Sequence, residues 1–518
     1  MTAISSPTVS NHHEPENETG GVSPRVPARI AAILATLLVL IASARIVSTY
    51  TALSHTNDEP EHLGCGIQWL TQGAYTWDPS HPPMERVMSA VAVYLAGVRP
   101  LPADGSHAEG IKLLGRDDHY DRILFAARLG VLPLFWVACL AVFLWGYRAG
   151  GPVAAALATF LFTTTPPVLA HAGLVTTDMA CAAFGALAFY ATLWWADRPD
   201  RPRTVLFGIA LALAALAKFS LLAYLPAAWL VLLAIQRPSL DTIRRYVAPI
   251  AGAALIGAFV ICAAYKFVLL PDLFAGIKAL WHHNAVGHNS YLLGQRRTTG
   301  VWYFFPVVLS VKTPLTMLIL VIGGLVYAWR KRLPISAPVA FAAGILMVAM
   351  MGRINIGVRH VLPIYAAFSV IGAVAAAEWM RGSSWRAAPI LALLAWQTLS
   401  GAVQHPDYIA YTNEIVGDHP ERVLAESDLD WGQDMKLVAD FLARHGAKHV
   451  AFTPYCVSYL EAGRAFPPTT PTNWYHPSPG WNVVSLSGLE VFDHPGWAEK
   501  TRPRYRIGRT HWAYYVAP

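Results

Sequence analysis

The feature that most constrains this chain is a series of long apolar runs. They fall at 30–50, 122–146, 153–170, 178–196, 204–219, 221–236, 247–270, 304–328, 336–351, 361–379 and 387–403. Most are about 17 to 25 residues long, the length that crosses about 30 Å of hydrocarbon. About eleven membrane-spanning helices are therefore expected, making an all-α polytopic membrane protein. A shorter run at 84–98, "MERVMSAVAVYLAGV", reads as an amphipathic helix lying in the membrane interface.

Composition agrees with this reading. The chain is 55% hydrophobic and only 14% charged, against about 25% charged residues in a soluble domain. Its net charge of +7 needs no nucleic-acid partner. The excess Arg and Lys sit in short loops between apolar runs, at Arg148, at 198–203, at 237–245, at 330–332 and at Arg381 and Arg386. That is the mark of cytoplasmic loops. Merging 204–219 with 221–236 would invert everything downstream, and the placement of Arg argues against the merger. The five cysteines, Cys65, Cys139, Cys181, Cys262 and Cys456, form no CxxC pair, so neither a disulfide framework nor a zinc site is expected.

Three regions follow. Residues 1–29 are polar and rich in Pro, Ser and Gly, and read as a disordered cytoplasmic tail. The next segment, "RIAAILATLLVLIASAR", is either a signal peptide or an uncleaved first helix, and the long polar tail favours the latter. Residues 30–403 form the membrane domain, with a long outer loop at 51–121. Residues 404–518 are polar and Pro-rich, and read as a small soluble α/β domain on the outer face. There "ERVLAESD" is expected as a strand, "DMKLVADFLARHG" as a helix, "HVAFTPY" as a strand completing a βαβ unit, and "HWAYYVA" as a further strand.

With the N-terminus inside, the outer face collects the residues that can carry chemistry. Asp58 and Glu59 stand together in "SHTNDEPEHLGCG", and Asp178 ends "LVTTD" at the mouth of a span. Each is a candidate base as well as a solvated residue or a helix cap. His81, before Pro82 and Pro83, is either structural or a substrate contact. Lys312 interrupts an apolar run, and Arg353, Arg359 and His360 cluster in "GRINIGVRH". Outer-face cations run against the usual charge bias. They call for pairing with a carboxylate or for a bound phosphate. Asp428, Asp430 and Asp434 in "SDLDWGQD" either bind a metal or acceptor sugar or make a strand-to-helix turn with an acidic cap, and Trp431 is either a sugar platform or packing. A metal site from His282, His283 and His288 has only weak support. No GxxxxGK[ST], GxGxxG or GxSxG motif is present, which speaks against a nucleotide held in a standard loop.

The ordered set "NDEPEHL…QGAYTWDPSHPPM", "LVTTD", "YLLG", "VKTPL", "GVRHVLPIY" and "SDLDWGQDMKLVADFL" resembles bacterial relatives of the dolichyl-phosphate-mannose protein mannosyltransferases, in the GT-C glycosyltransferase superfamily. The lipid A aminoarabinose transferases are more distant kin. The resemblance implies a GT-C-like fold, a polyprenyl-phosphate sugar donor and transfer on the non-cytoplasmic (periplasmic) face of a bacterial inner membrane. It implies Asp58, Glu59 and Asp178 as the catalytic acids, and donor contacts at Lys312, Arg353, Arg359 and His360. The acceptor is a lipid, a glycan or a protein. No cofactor is firmly implied, and a divalent metal stays open. A lipid phosphate leaves without a strong general acid, so a single base and a few cations suffice for inverting displacement. Glu59 is expected to orient Asp58 as base and Asp178 to position the acceptor. A transporter of polyprenyl-linked sugars and a non-catalytic envelope assembly factor are the competing functions.

Overall fold

The computed structural model describes residues 27–99, 105–115, 119–381, 383–455, 464–473, 475–491, 496–498, 500–502 and 504–517. The expected tail, apart from its last residues, and Cys456 lie outside these.

The first apolar run forms α1 (Ala28–Val47). Ile33, Leu37, Leu40 and Ile41 face outward on it, as side chains in contact with lipid would. The loop at 51–121 is more helical than its sequence suggests. It folds into α2 (Glu59–Gln72), α3 (Pro83–Leu95), which is the expected amphipathic helix, and α4 (Ser106–Leu114). Close approach fixes this packing: a Cβ on Gly66 would lie 2.0 Å from the Arg86 carbonyl oxygen, and one on Gly110 would lie 1.8 Å from that of Pro60.

Next come α5 (Tyr120–Leu129) and α6 (Leu132–Thr163). The second is divided at Gly151, whose φ of 78° breaks the helix just before Pro152. Then follow α7 (Pro166–His171), α8 (Thr177–Asp197), α9 (Arg201–Ala217), α10 (Leu221–Gln236), α11 (Leu240–Ala264) and α12 (Leu270–Val286). Helices α9 and α10 are separate, with Lys218 to Ser220 between them. A short hairpin of β1 (Ser290–Leu292) and β2 (Gln295–Arg297) leads to α13 (Phe304–Lys312) and α14 (Leu315–Lys331). These two occupy the run expected as one span, but they are bent by 116°. Pro314 disfavours helix at Thr313, and Lys312 turns away from the apolar surface to reach polar partners.

Helices α15 (Ser336–Met351), α16 (Ile364–Met380) and α17 (Ala387–Gln404) complete the bundle. Most of α16 is buried, against α6 and α14. Among the described residues, four helical stretches are long and apolar enough to cross a membrane, or five if the bent pair is one span. Helices α9, α10, α15 and α16 are 16 or 17 residues long, and the stretch Tyr120–Thr163 takes in most of two expected runs, with the Gly151 break between them.

The C-terminal segment holds α18 (Met435–Arg444), β3 (Val450–Thr453), β4 (Thr469–Thr470), β5 (Gly480–Ser485), α19 (Leu486–Val491), β6 (Arg504–Ile507) and β7 (His511–Val516). The sheet order is β4-β3-β5-β7-β6, with β3 parallel to β4 and β5, and β7 antiparallel to β5 and β6. The strand expected at "ERVLAESD" is absent; short 3-10 turns stand there instead. Its polar groups bond to a distant loop: Ser427 Oγ donates to the Ile356 carbonyl, and Val358 N donates to Asp428 Oδ1 at 3.0 Å. The βαβ unit therefore lacks its first strand. The segment meets the loop at 51–121 through Ser54 N to Gln433 O at 2.8 Å and Asn57 N to Trp431 O at 3.0 Å.

Candidate active site

Three chain breaks converge on one polar cluster: the start of α2, the start of α8 and the 3-10 turn Val358–Val361 before α16. Asp58 occupies the N-cap position of α2, and Asp178 lies in the first turn of α8. Arg359 spans the two. Its Nη1 is 2.8 Å from Asp58 Oδ2 and 3.9 Å from Asp178 Oδ2. Its guanidinium carbon lies 4.3 Å from the centre of the Trp431 ring, a cation–π contact.

Asp178 is held from two further sides. Lys218, in the break between α9 and α10, donates to Oδ1, and His171 Nδ1 stands 3.9 Å from Oδ2. Neither Lys218 nor His171 was singled out by the sequence reading. Lys218 carries the same signal as Lys312, a cation interrupting the apolar stretch "ALAKFSLL". The side chain of Asp178 is 1% exposed, whereas that of Asp58 is 29% exposed, so Asp58 is the carboxylate a substrate can reach.

Several buried polar atoms here have no hydrogen-bond partner: Arg359 Nε, His360 Nε2, His171 Nδ1 and Asp178 Oδ2. Unsatisfied buried groups are costly and rare, and their concentration in one place is what a substrate site requires. Burial, reinforced by Lys218 and Arg359, pushes the His360 imidazole well below its usual range, so the ring is neutral at physiological pH.

Glu59 is placed differently from its expected role of orienting Asp58. It is buried and clamped by Arg128, whose Nε and Nη2 reach its two oxygens at 2.9 and 2.8 Å. Thr56 N and Val175 N also donate to it at 2.7 and 3.0 Å. Burial works to raise its pKa, but Arg128 and these bonds outweigh it and hold the carboxyl below its ordinary value. With both oxygens engaged, Glu59 ties the outer loop to the turn before α8.

The remaining candidates divide. His81 belongs to a neighbouring cluster, 3.7 Å from Asp78 and 5.2 Å ring to ring from His62, where Arg86 also bonds Asp78. Burial holds the His81 ring below its usual range. Lys312 is buried and donates to the carbonyls of Ile409 and Asp428, each at 2.6 Å, joining α13 to the C-terminal segment. Arg353 is exposed and donates to the Ala285 carbonyl at 3.2 Å, apart from the Asp58 cluster.

The acids of "SDLDWGQD" have separate partners: Val358 N for Asp428, Gly432 N and Ser485 for Asp430, and the 509–510 backbone for Asp434. Each of these acids thus has a local structural partner, while Asp434 Oδ1 is buried without one. Among the described residues, no group of three or more His, Cys, Asp or Glu side chains is placed to hold a metal ion.

The family model described as "Dolichyl-phosphate-mannose-protein mannosyltransferase" matches residues 35–270, a stretch that contains Asp58, Asp178 and Lys218. The chain resembles that GT-C family. Its fold is also that of a solved relative, ArnT from Cupriavidus metallidurans. The ArnT structure bound to undecaprenyl phosphate aligns at a TM-score of 0.55 and 14% identity, covering 92% of this chain and 97% of ArnT. The apo structure of ArnT aligns at 0.52 and 13%, covering 94% and 98%. A search of curated protein sequences found no match at the significance threshold. Residues 271–518 fall beyond the family match, so Arg359 and His360 join the family's region through the fold.

Proposed function

We propose that the protein is an integral-membrane glycosyltransferase of the bacterial inner membrane. It transfers a sugar from a polyprenyl-phosphate donor to an acceptor hydroxyl on the periplasmic face. The observation that carries this reading is the bridge of Arg359 between the reachable carboxylate Asp58 and the buried Asp178, set among unpartnered polar atoms. The family resemblance and the undecaprenyl phosphate bound by ArnT support a lipid phosphate as the group those atoms await.

The chemistry follows from the residues. In the free protein the Arg359 guanidinium is paired with Asp58. A phosphate monoanion or diester offers the guanidinium a second acceptor, and Lys218 adds a point charge nearby. As the donor phosphate takes up Arg359, Asp58 is freed as a base. It then accepts the proton of the acceptor hydroxyl while that oxygen attacks the anomeric carbon opposite the phosphate. The configuration inverts, and the leaving phosphate is stabilised by fixed cations, with no proton needed. This is where the site departs from glycoside hydrolysis, which must protonate an alkoxide and uses a second carboxyl group for it. Asp178 serves by fixing Lys218 and Arg359.

The test is incubation of the purified protein with a radiolabelled polyprenyl-phosphate sugar and an envelope extract. Release of lipid phosphate coupled to label in a new product supports the reading. Movement of intact donor across a proteoliposome membrane, without release, would instead indicate a transporter.

A further inference from the structure

A cavity of about 550 Å³ opens between the chain that follows α17 and the β6–β7 turn. Its size falls in the range of small-molecule sites, about 300 to 1,000 Å³. Its lining includes Leu53, Asp407, Thr412, Asp434, Arg506 and Arg509, and no member of the Asp58–Asp178 cluster.

Asp434 is fully buried, and its two oxygens are unequal. Oδ2 accepts from Arg509 N at 2.8 Å, Thr510 N at 3.2 Å and Thr510 Oγ1 at 2.9 Å. Oδ1 is buried with no hydrogen-bond partner. A buried carboxylate oxygen left unsatisfied calls for a donor from a ligand. Asp407 accepts from Ile409 N and Ala410 N at 3.1 and 3.2 Å, and burial beside Asp434 pushes its pKa up to about 7. At neutral pH it can therefore either donate or accept. Asp407, Asp418 and Asp434 share the lining with Arg506 and Arg509. A cation would meet two arginines there and an anion would meet three acids. A neutral ligand with many hydroxyls suits the lining best.

One turn runs from the cavity wall to the Arg359 cluster. Leu429 and Asp434 line it, while Trp431 of the same turn lies over Arg359. Gln433 accepts from Trp431 N at 2.8 Å through its carbonyl, and its amide nitrogen reaches Asp407 Oδ2 at 3.3 Å. Leu53 adds a wall from the chain that continues to Asp58.

We propose that this cavity is a binding subsite for a neutral carbohydrate, the glycan portion of the acceptor, a reading that rests on the glycosyltransferase proposal. The turn 429–434 would then carry acceptor occupancy to Trp431 and the Arg359 it stacks on.

The test uses the full chain in detergent micelles. Saturation-transfer NMR is run with methyl α-mannopyranoside, methyl α-glucopyranoside, methyl N-acetylglucosaminide and inorganic phosphate. The expected result is saturable binding of at least one glycoside. Asp434→Asn should weaken it about tenfold or more, the scale of one lost charged hydrogen bond. Asp434 also holds the 509–510 backbone, so Thr412→Trp, which fills the cavity from its half-buried rim, is the second variant and should abolish binding. The proposal is overturned if no glycoside binds folded wild-type protein, if phosphate alone binds, or if both variants bind as wild type does. Polyprenyl phosphate binding to the same samples reports separately on the Arg359 centre. Its failure with glycoside binding intact would count against the donor site and support the subsite.

Discussion

Arg359 and Asp58 are 301 residues apart in the chain and 2.8 Å apart in space. They join the loop before α16 to the first turn of the outer loop, and the third party to the contact is Trp431 from the C-terminal segment. An ion pair that stacks on an indole and leaves Nε unused is organised to exchange partners. Arg359→Lys keeps the charge but loses the planar fork and the stacking face. It should lower turnover by about 10² to 10³, the scale of removing one preorganised donor. Steady-state kinetics with saturating acceptor would measure this.

Lys218 and Asp178 make a buried pair that holds the second side of the site. Lys218→Met leaves the buried carboxylate with only Arg359 and His171, each at 3.9 Å, and should cost about 3 to 5 kcal/mol of stability. The double variant Lys218→Met with Asp178→Asn should regain most of that loss and none of the activity. Thermal unfolding in detergent, run beside the transfer assay, separates the two effects.

Glu59 is structural on this account. Glu59→Gln should weaken the Arg128 clamp and lower the unfolding midpoint, and Arg128→Met should do the same. Combining them should cost less than the sum, since both remove one contact. A Glu59→Gln protein that keeps wild-type stability but loses turnover would contradict this placement.

Glu61, on α2, supplies a pH signature. Burial, and then the carboxylate of Asp78, raise its pKa from 4.5 to about 7. Its contribution to stability is therefore fully present below about 4.5 and is lost as the pH rises through about 7. Glu61→Gln should flatten that part of the stability profile, which unfolding midpoints at pH 5 and pH 8 would show.

The residues that were legible in the sequence share one property: they are charges where an apolar surround makes charge costly. Asp58, Asp178, Arg359 and His360 were found this way and do meet. Lys218 has the same property, near the end of the run at 204–219, and the sequence reading passes over it. The difference between Asp58 and Glu59 was not legible, because adjacent residues at a helix start face different ways, and only the position of Arg128, 69 residues on, separates them. The missing strand at 421–428 has a similar cause. Local pattern suggested an extended ladder, while the contacts that decide the segment are to Ile356 and Val358. The helix break at Pro314 carries its Pro in the sequence, but the 116° bend found there depends on packing.

The central claim is that Asp58 is the base and Arg359 the phosphate ligand, and the most direct measurement is lipid-phosphate release by Asp58→Asn. The variant should still bind polyprenyl phosphate, because Arg359 is retained and released from its partner. Its rate of release should fall by about 10² to 10⁴, the contribution of a positioned base. Release at the wild-type rate, with binding intact, would contradict the account.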